Sequence, residues 1–242
     1  MGAKVYPKLF LKYYLTNKNK SSIICIEFKI QLERLVIKMG PTKTRIKLFI
    51  DVDGTIINTA GNFIDKYCKE NNINKTIDDL KDWEFKSIDR KIDINEFLKY
   101  IETEEFFETI ELDENFLKFY VTNQNNYEWI FITKGTKKNL ELKERFLKES
   151  LPTLNNVKYI GIENEQDKKN YDMKNGIQID DNIKNLNTNA RYKILIKNYL
   201  ETDFNKIEAP SDDIYEMNNW NEIAESIKWF REEILVWDVL GI

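Results

Sequence analysis

The chain has 242 residues, of which 42% are hydrophobic, so it can bury a full core as one larger domain or one domain with an insertion. Its net charge of −4 disfavours extended binding to nucleic-acid phosphates, and charged residues interrupt every apolar run before the roughly 18 to 20 residues that a membrane span needs. The absence of histidine excludes a Ser-His-Asp triad and any histidine-ligated metal site.

The two cysteines, Cys25 and Cys68, are isolated, which argues against a disulfide framework or a thiolate zinc site. We therefore expect a reducing, cytoplasmic location. The glycine spacing matches neither the phosphate loop of ATPases nor the dinucleotide-binding fingerprint, so both of those classes lose their main support. Carboxylates and lysines are left as the groups that can carry chemistry.

Residues 1–44 are basic and predict an N-terminal extension that is partly helical or flexible. Apolar residues recur there at helical spacing: Phe28, Leu32, Leu35, Val36 and Met39. The segment is interpreted either as a targeting or membrane-surface element, or as an extra packing element. A third interpretation is that translation truly starts at Met39.

The first predicted strand runs through Leu48–Ile50 and ends in two carboxylates, Asp51 and Asp53, followed by Gly54. Glycine allows the backbone to turn sharply at this point. Chemistry in open α/β sheets collects at the carboxyl ends of the strands, so this strand end is a candidate functional site.

The following segment, 58–126, predicts a helical insertion, since no strand alternation appears from about 71 to 126. An amphipathic stripe opens it: Ala60, Phe63, Ile64, Tyr67 and Cys68. The segment is rich in aromatic residues, most of which we expect to form its own core. Its aromatic residues include Trp83, Phe85, Phe97, Tyr100, Phe106, Phe107, Phe116, Phe119 and Tyr120.

Strands then alternate with helices, which indicates a parallel sheet with right-handed crossovers. The further predicted strands are Trp129–Ile132, Val157–Ile162, Gly176–Ile179 and Tyr192–Ile196. A polar loop, 197–213, and a closing helix, Trp220 to about Ile234, complete the chain. The predicted fold class is α/β, with a Rossmann-like parallel sheet of about five strands flanked by helices and a small helical cap inserted after the first strand.

Polar residues follow these strands in a fixed order. Asp51 and Asp53 come first, then Thr133, then a loop lysine (Lys168), then Asp180 with Asp181. Together they resemble the four motifs of the haloacid dehalogenase superfamily of phosphotransferases. The resemblance covers about residues 46 to 230. Taken alone, Asp180-Asp181 could be a helix cap and Lys168 a solvated loop charge, with Lys169 as a rival.

The resemblance implies a role for each of these residues. Asp51 is expected to attack phosphorus and form an aspartyl-phosphate, and Asp53 to act as general acid and base. Lys168 and Thr133 are expected to stabilise the transferring phosphoryl group, with help from the Lys134 amide. The carboxylates repel an anionic phosphate, so Mg²⁺ is the expected cofactor. Its expected ligands are Asp51, the Asp53 backbone carbonyl, and Asp180 or Asp181.

Within the superfamily the chain is most similar to the 5'(3')-deoxyribonucleotidases. The similarity rests on four stretches: Phe49 to Thr55, Asp82 to Phe85, Ile132 to Gly135, and Lys168 to Asn182. It implies a catalytic core at 45–57 and 127–242 and a helical cap at 58–126. Substrate-binding candidates are Lys134 and Gly135 for the phosphate, and Trp83 and Phe85 for stacking on the base, with Phe106 or Phe107 behind them.

The expected function is Mg²⁺-dependent hydrolysis of (deoxy)nucleoside monophosphates. Three alternatives stay open: a phosphatase of another small phosphometabolite, a polynucleotide 3'-phosphatase, and a non-catalytic nucleotide binder. The expected partner is a small phosphorylated substrate, without a stable nucleic-acid complex or a membrane. Oligomeric state is left open, with a homodimer as one outcome.

Overall fold

The structure is a computed structural model. It describes residues 45–152, 157–163, 165–199 and 213–240, with side chains described as far as residue 234. Residues Thr44–Ile234 form one compact unit. The predicted extension, 1–44, and the helix and alternative start within it lie outside the described residues. Among the described residues, no helix combines the length and apolar character needed to cross a membrane.

The described residues form one six-stranded sheet in which every neighbouring pair of strands is parallel. The strands are β1 (Ile46–Ile50), β2 (Tyr127–Gly135), β3 (Val157–Glu163), β4 (Ile177–Asp180), β5 (Tyr192–Ile196) and β6 (Ile214–Met217). Their order across the sheet is β3-β2-β1-β4-β5-β6.

Six α-helices are described: α1 (Thr59–Asn71), α2 (Ile94–Ile101), α3 (Glu104–Thr109), α4 (Glu114–Asn123), α5 (Lys137–Ser150) and α6 (Trp220–Leu240). Short 3-10 turns lie at Ile77–Asp79, Lys168–Asn170 and Ile183–Leu186. Side-chain caps begin most of these helices: Asn58, Asp93, Thr103, Asp113 and Thr136 each accept a bond from an amide in the first turn.

The central position of β1 follows from its composition. Leu48, Phe49 and Ile50 are at most 3% exposed, as expected for a strand covered on both faces. β1 pairs with β2 on one side and with β4 on the other. The carboxyl ends of these three strands therefore lie next to one another.

The helical segment after β1 leaves the sheet and returns to it at nearly the same point. Ile57 pairs with Leu112 in an isolated antiparallel bridge, and the amide of Asp113 donates to the carbonyl of Ile56 over 2.8 Å. Between these points, Phe63 is the centre of an aromatic cluster. Its ring lies within 6 Å of the rings of Tyr67, Phe85, Phe97 and Tyr100.

Helix α4 packs on the sheet. The ring of Phe116 contacts those of Trp129, Phe131 and Trp220, and all four side chains are fully buried. The Trp220 indole also donates to the carbonyl of Thr55 over 2.8 Å, which ties α6 to the turn after β1. The exact division of the chain into core and cap stays a prediction.

The predicted fold class is confirmed: a Rossmann-like parallel sheet flanked by helices, with a helical insertion after the first strand. The sheet has six strands where about five were predicted. The additional strand, β6, has only four residues and lies at the sheet edge. Three of the four are partly or fully exposed, so β6 lacks the buried apolar run that predicted most of the other strands. β2 is longer than predicted and keeps Thr133 and Gly135 within the strand.

Candidate active site

The sheet order brings the predicted site residues to one edge. Asp51 follows β1 and its amide donates to the carbonyl of Ile179 on β4 over 2.9 Å. Thr133 lies near the end of β2, and Asp180 is the last residue of β4. Because β1 lies between β2 and β4, these side chains converge although the chain separates them widely.

The turn after β1 redirects the chain sharply. Gly54 has a φ of 67°, its amide donates to the carbonyl of Ile57, and the amides of Ile56 and Ile57 both donate back to the carbonyl of Val52. A Cβ on Gly54 would overlap the carboxylate of Asp181. Glycine is therefore needed here for two reasons: it allows the left-handed backbone, and it leaves room for the carboxylate of Asp181, the residue after β4.

A buried lysine holds two of the carboxylates together. The Nζ of Lys168 lies 2.6 Å from Oδ1 of Asp51 and 2.6 Å from Oδ2 of Asp180, and its side chain is fully buried. Asp180 also accepts bonds at Oδ1 from the amide of Asn182 and the side chain of Asn185, each over 3.0 Å. The rival Lys169 has a side chain that is 57% exposed and pairs with Asp167. Of these two neighbouring lysines, Lys168 is thus the one that the fold brings to the carboxylates.

Three carboxylates form a compact acidic cluster. One oxygen from each of Asp51, Asp180 and Asp181 lies within 4.8 Å of the others. Burial, with the charges of Asp180 and Asp53, raises the pKa of Asp51 from 3.8 to about 7, against the opposing effect of Lys168. Burial, Asp180 and Asp51 raise the pKa of Asp181 well above its usual value. Burial alone would lower the pKa of Lys168, but Asp180 and Asp51 outweigh it and raise that pKa.

Asp53 occupies a different environment from Asp51. Its side chain is 33% exposed, against 7% for Asp51. Its Oδ1 accepts a 2.6 Å bond from the hydroxyl of Thr59 at the start of α1, and its Oδ2 pairs with the ammonium of Lys143. The two carboxylates of the first motif are therefore held by different partners.

Lys143 was not among the residues that we predicted for the site. It is 1% exposed and lies on the buried face of α5 with Leu140, Phe146 and Leu147. A lysine within an apolar helical stripe is the sequence signal that could have drawn attention to it, because lysines are almost never fully buried unless they are paired.

The predicted phosphate-binding residues lie where β2 ends and α5 begins. Thr133 is fully buried, and its hydroxyl oxygen lies 3.3 Å from Nζ of Lys143. The backbone carbonyl of Lys134 accepts a 2.8 Å bond from the same ammonium. A Cβ on Gly135 would lie 2.6 Å from Oδ1 of Asn139, so any other residue there would have to displace the Asn139 amide group.

The beginning of α5 also contacts the helical insertion. The side chain of Asn139 donates to the carbonyl of Ile101 over 2.8 Å, and the hydroxyl of Thr136 donates to the carboxylate of Glu102. The sheet edge and the insertion are therefore joined directly beside the predicted phosphate-binding residues.

The two aromatic candidates for base stacking differ in exposure. They belong to a loop that Asp82 organises by accepting bonds from the amides of Glu84, Lys86 and Ser87. Phe85 has a φ of 60° and is 8% exposed, with its ring stacked on Phe97. Trp83 is 38% exposed. Of the two rings, that of Trp83 is the more accessible to a ligand. Phe106 and Phe107 are both buried.

Comparisons with known proteins agree with this fold. The family model described as "5' nucleotidase, deoxy (Pyrimidine), cytosolic type C protein" matches residues 44–232, which is more than half of the chain. A solved haloacid dehalogenase-like family hydrolase from Streptococcus pneumoniae is 13% identical, covers 77% of this chain and 100% of its own, and gives a TM-score of 0.53.

A haloacid dehalogenase-like family hydrolase from Xanthomonas campestris is 12% identical, with a TM-score of 0.47 and coverage of 78% of this chain and 98% of its own. At these identities the solved structures bear on the fold alone. None of the curated proteins matches the chain.

Replacing Gly54 by alanine tests the turn after β1. A side chain in the left-handed region costs roughly 1–2 kcal/mol, and the added Cβ must also displace the Asp181 carboxylate. We expect the free energy of unfolding, measured by urea denaturation, to fall by more than about 1 kcal/mol. The matched control is Gly161→Ala in β3, where φ is not positive and the nearest atom is a Leu140 methyl group at 3.2 Å. An equal loss in both variants would contradict the role given to Gly54.

Proposed function

Because this chain belongs to the 5' nucleotidase, deoxy (pyrimidine), cytosolic type C family, and is thus a haloacid dehalogenase-type phosphatase, we propose that it hydrolyses (deoxy)nucleoside monophosphates with Mg²⁺ as cofactor. The observation that carries the proposal is the cluster of Asp51, Lys168, Asp180 and Asp181 at the carboxyl edge of the central strands, in which the first three are buried and Asp181 is partly exposed. Such a cluster suits the attack of a carboxylate on an anionic phosphate group, because the lysine and a bound cation would reduce the repulsion between the two.

Asp51 is the proposed nucleophile. Its oxygen attacks phosphorus, the bond from phosphorus to the sugar oxygen breaks, and an aspartyl-phosphate forms. The Lys168 ammonium lies 2.6 Å from Oδ1 of Asp51. The ammonium reduces the repulsion between this carboxylate and an incoming phosphate dianion.

Asp53 is the proposed general acid and base. In the first step its carboxyl proton passes to the departing sugar oxygen. In the second step water attacks the phosphorus of the aspartyl-phosphate, its proton passes to Asp53, and inorganic phosphate and free Asp51 result. The greater exposure of Asp53 supports this role, because a proton donor must reach both the leaving group and water. Such catalysis typically contributes about 10²- to 10⁴-fold to the rate.

The residues at the site fit Mg²⁺, which prefers oxygen ligands. Asp51, Asp180 and Asp181 would hold it, together with the Asp53 backbone carbonyl. Bonds from Asn182, Asn185 and Lys168 fix the orientation of the Asp180 carboxylate. When bound, Mg²⁺ would supply positive charge to the phosphate oxygens.

Phosphate binding is proposed for the end of β2. The Thr133 hydroxyl and the amides of Lys134 and Gly135 can donate hydrogen bonds to phosphate oxygens. They lie close to Lys143 and to the start of α5, and both of these favour a bound anion. Lys168 contacts two carboxylates, and an ammonium has three N–H donors, so it can also bind a phosphate oxygen.

Nucleoside recognition is proposed for the helical insertion acting as a cap. Trp83 is the first candidate for stacking on the base, and stacking contributes roughly 1 to 3 kcal/mol per base. The ring of Phe85 packs on those of Phe63 and Phe97, and we retain Phe85 as a candidate for the edge of the same site. We also propose a cytoplasmic location, which is supported by the family description and by the free, buried thiol of Cys68.

A panel of phosphate esters tests the proposed function. Phosphate release in the presence of Mg²⁺ should be fastest with deoxynucleoside and nucleoside monophosphates, and slower with sugar phosphates and with a 3'-phosphorylated oligonucleotide. Asp51→Asn should reduce the release to background while the melting temperature stays close to that of the wild type, because the side-chain shape is retained. Rapid turnover of sugar phosphates without nucleotide turnover would contradict the substrate class. Undiminished turnover by Asp51→Asn would remove Asp51 as the nucleophile.

The pKa of Asp51 makes a prediction about Mg²⁺ and pH. A pKa raised from 3.8 to about 7 means that the metal-free folded protein retains a proton that the unfolded chain releases, so this group lowers stability as the pH rises from about 4 to 7. Mg²⁺ binds the ionised form and must displace that proton at lower pH. Added Mg²⁺ should therefore raise the melting temperature more at about pH 8 than at about pH 6.

The control for this measurement is Asp181→Asn, which removes a proposed ligand and leaves Asp51 in place. We expect its melting temperature to respond weakly to Mg²⁺ at either pH. A response that is equal at the two pH values in the wild type, or unchanged in Asp181→Asn, would contradict the assigned site.

A further inference from the structure

Lys143 is a buried cation that the proposed reaction has not yet used. Its ammonium contacts three acceptors: the carboxylate of Asp53, the hydroxyl of Thr133 over 3.3 Å and the carbonyl of Lys134 over 2.8 Å. The side chain is 1% exposed. Burying a lysine is unfavourable unless partners compensate for lost hydration, and here the partners belong to two different predicted motifs.

We propose that Lys143 is a positioning residue that holds the Asp53 carboxyl group in place for proton transfer and fixes it relative to the phosphate-binding end of β2. The inference rests on the proposed function, since it takes Asp53 as the general acid and base. Lys143 itself touches no substrate in this account.

The hydrogen-bond donors of Lys143 support positioning over substrate binding. An ammonium group has three N–H donors, and Lys143 has three acceptors within the described residues. A phosphate oxygen would have to replace one of them. Lys168, in contrast, contacts two carboxylates and retains a donor for the substrate.

The contacts of Asp53 explain why it needs such a partner. It lies in the turn next to Gly54, and a third of its side chain is exposed, so the protein surrounds it less completely than Asp51. Side chains from two separate helices hold its oxygens: Thr59 of α1 donates to Oδ1, and Lys143 of α5 pairs with Oδ2. Correct orientation is worth large factors in proton transfer, because small displacements of a reacting group are costly.

The remaining two contacts of Lys143 extend its effect to β2. A peptide unit is planar, so a bond to the Lys134 carbonyl also fixes the direction of the Gly135 N–H. The Thr133 hydroxyl is held by the same ammonium. One side chain therefore sets the position of the proton donor relative to the groups that we propose for phosphate binding.

The test compares two leaving groups in Lys143→Met, which keeps the length of the side chain but removes its donors. A sugar alkoxide needs a proton to depart, whereas p-nitrophenolate departs without one. We expect kcat/KM for a deoxynucleoside monophosphate to fall by about 10- to 100-fold, within the range of general acid catalysis, and kcat/KM for p-nitrophenyl phosphate to fall by less than about 3-fold. Asp53→Asn should show the same dependence on the leaving group, and the double variant should be no worse than Asp53→Asn alone.

Lys148→Met is the matched control, since Lys148 lies on the same helix with its side chain 59% exposed, and it should leave both values unchanged. Lys143→Arg retains charge and donors and should recover part of the loss. If the melting temperature shows that Lys143→Met does not fold, the same comparison is made with Lys143→Gln, which is smaller and keeps two donors.

An equal fall for both substrates, an unchanged kcat/KM for the nucleotide, or additive losses in the double variant would overturn the inference. The comparison needs only an alkyl phosphate that the wild type hydrolyses. Turnover of sugar phosphates alone would therefore overturn the proposed substrate class while still testing Lys143. A wild type without any phosphatase activity would overturn both.

Discussion

Four carboxylates converge at the carboxyl edge of the sheet, and two ammonium groups oppose them. Asp51, Asp53, Asp180 and Asp181 are brought there because β1 lies between β2 and β4, and Lys143 and Lys168 are buried among them. Burial, together with the excess of negative charge, raises the pKa values of Asp51 and Asp181. The negative charge is also the reason that a divalent cation suits the site, since an anionic phosphate could not otherwise approach a carboxylate.

The two lysines contact different carboxylates. Lys168 joins Asp51 to Asp180 and lies in the interior of the cluster, where it offsets charge on the proposed nucleophile. Lys143 joins Asp53, the proposed acid and base, to the end of β2. Two aspartates that are two residues apart in sequence thus acquire different environments, which is how one motif can supply both a nucleophile and a proton donor.

The sequence predicts the local features of the site well, because each is a short pattern. An apolar strand that ends in Asp51-Val52-Asp53-Gly54 specifies a buried strand and a sharp turn, and the structure has both, with a positive φ at Gly54. The choice of Lys168 over its rival Lys169 agrees with their burial, since Lys168 reaches Asp51 and Asp180 and Lys169 is exposed. The α/β class follows from the alternation of apolar strands with amphipathic helices.

The features that the sequence did not predict depend on contacts between residues that are distant in the chain, or on the backbone conformation of a single loop. Lys143 and Asp53 are 90 positions apart, and no local pattern links them. β6 has four residues and only one buried side chain, so its place in the sheet depends on pairing with β5. The different exposures of Trp83 and Phe85 follow from the backbone of one loop, in which Phe85 has a positive φ and turns towards Phe63.

The central claim is that Asp51 carries the phosphoryl group, and trapping that intermediate tests it most directly. Borohydride reduces an acyl phosphate to an alcohol, so a phosphorylated aspartate becomes homoserine. Mass spectrometry of protein quenched with borohydride during turnover should find homoserine at position 51, only when Mg²⁺ and substrate are present. Homoserine at position 53, 180 or 181 instead, or no modification during rapid turnover, would contradict the account.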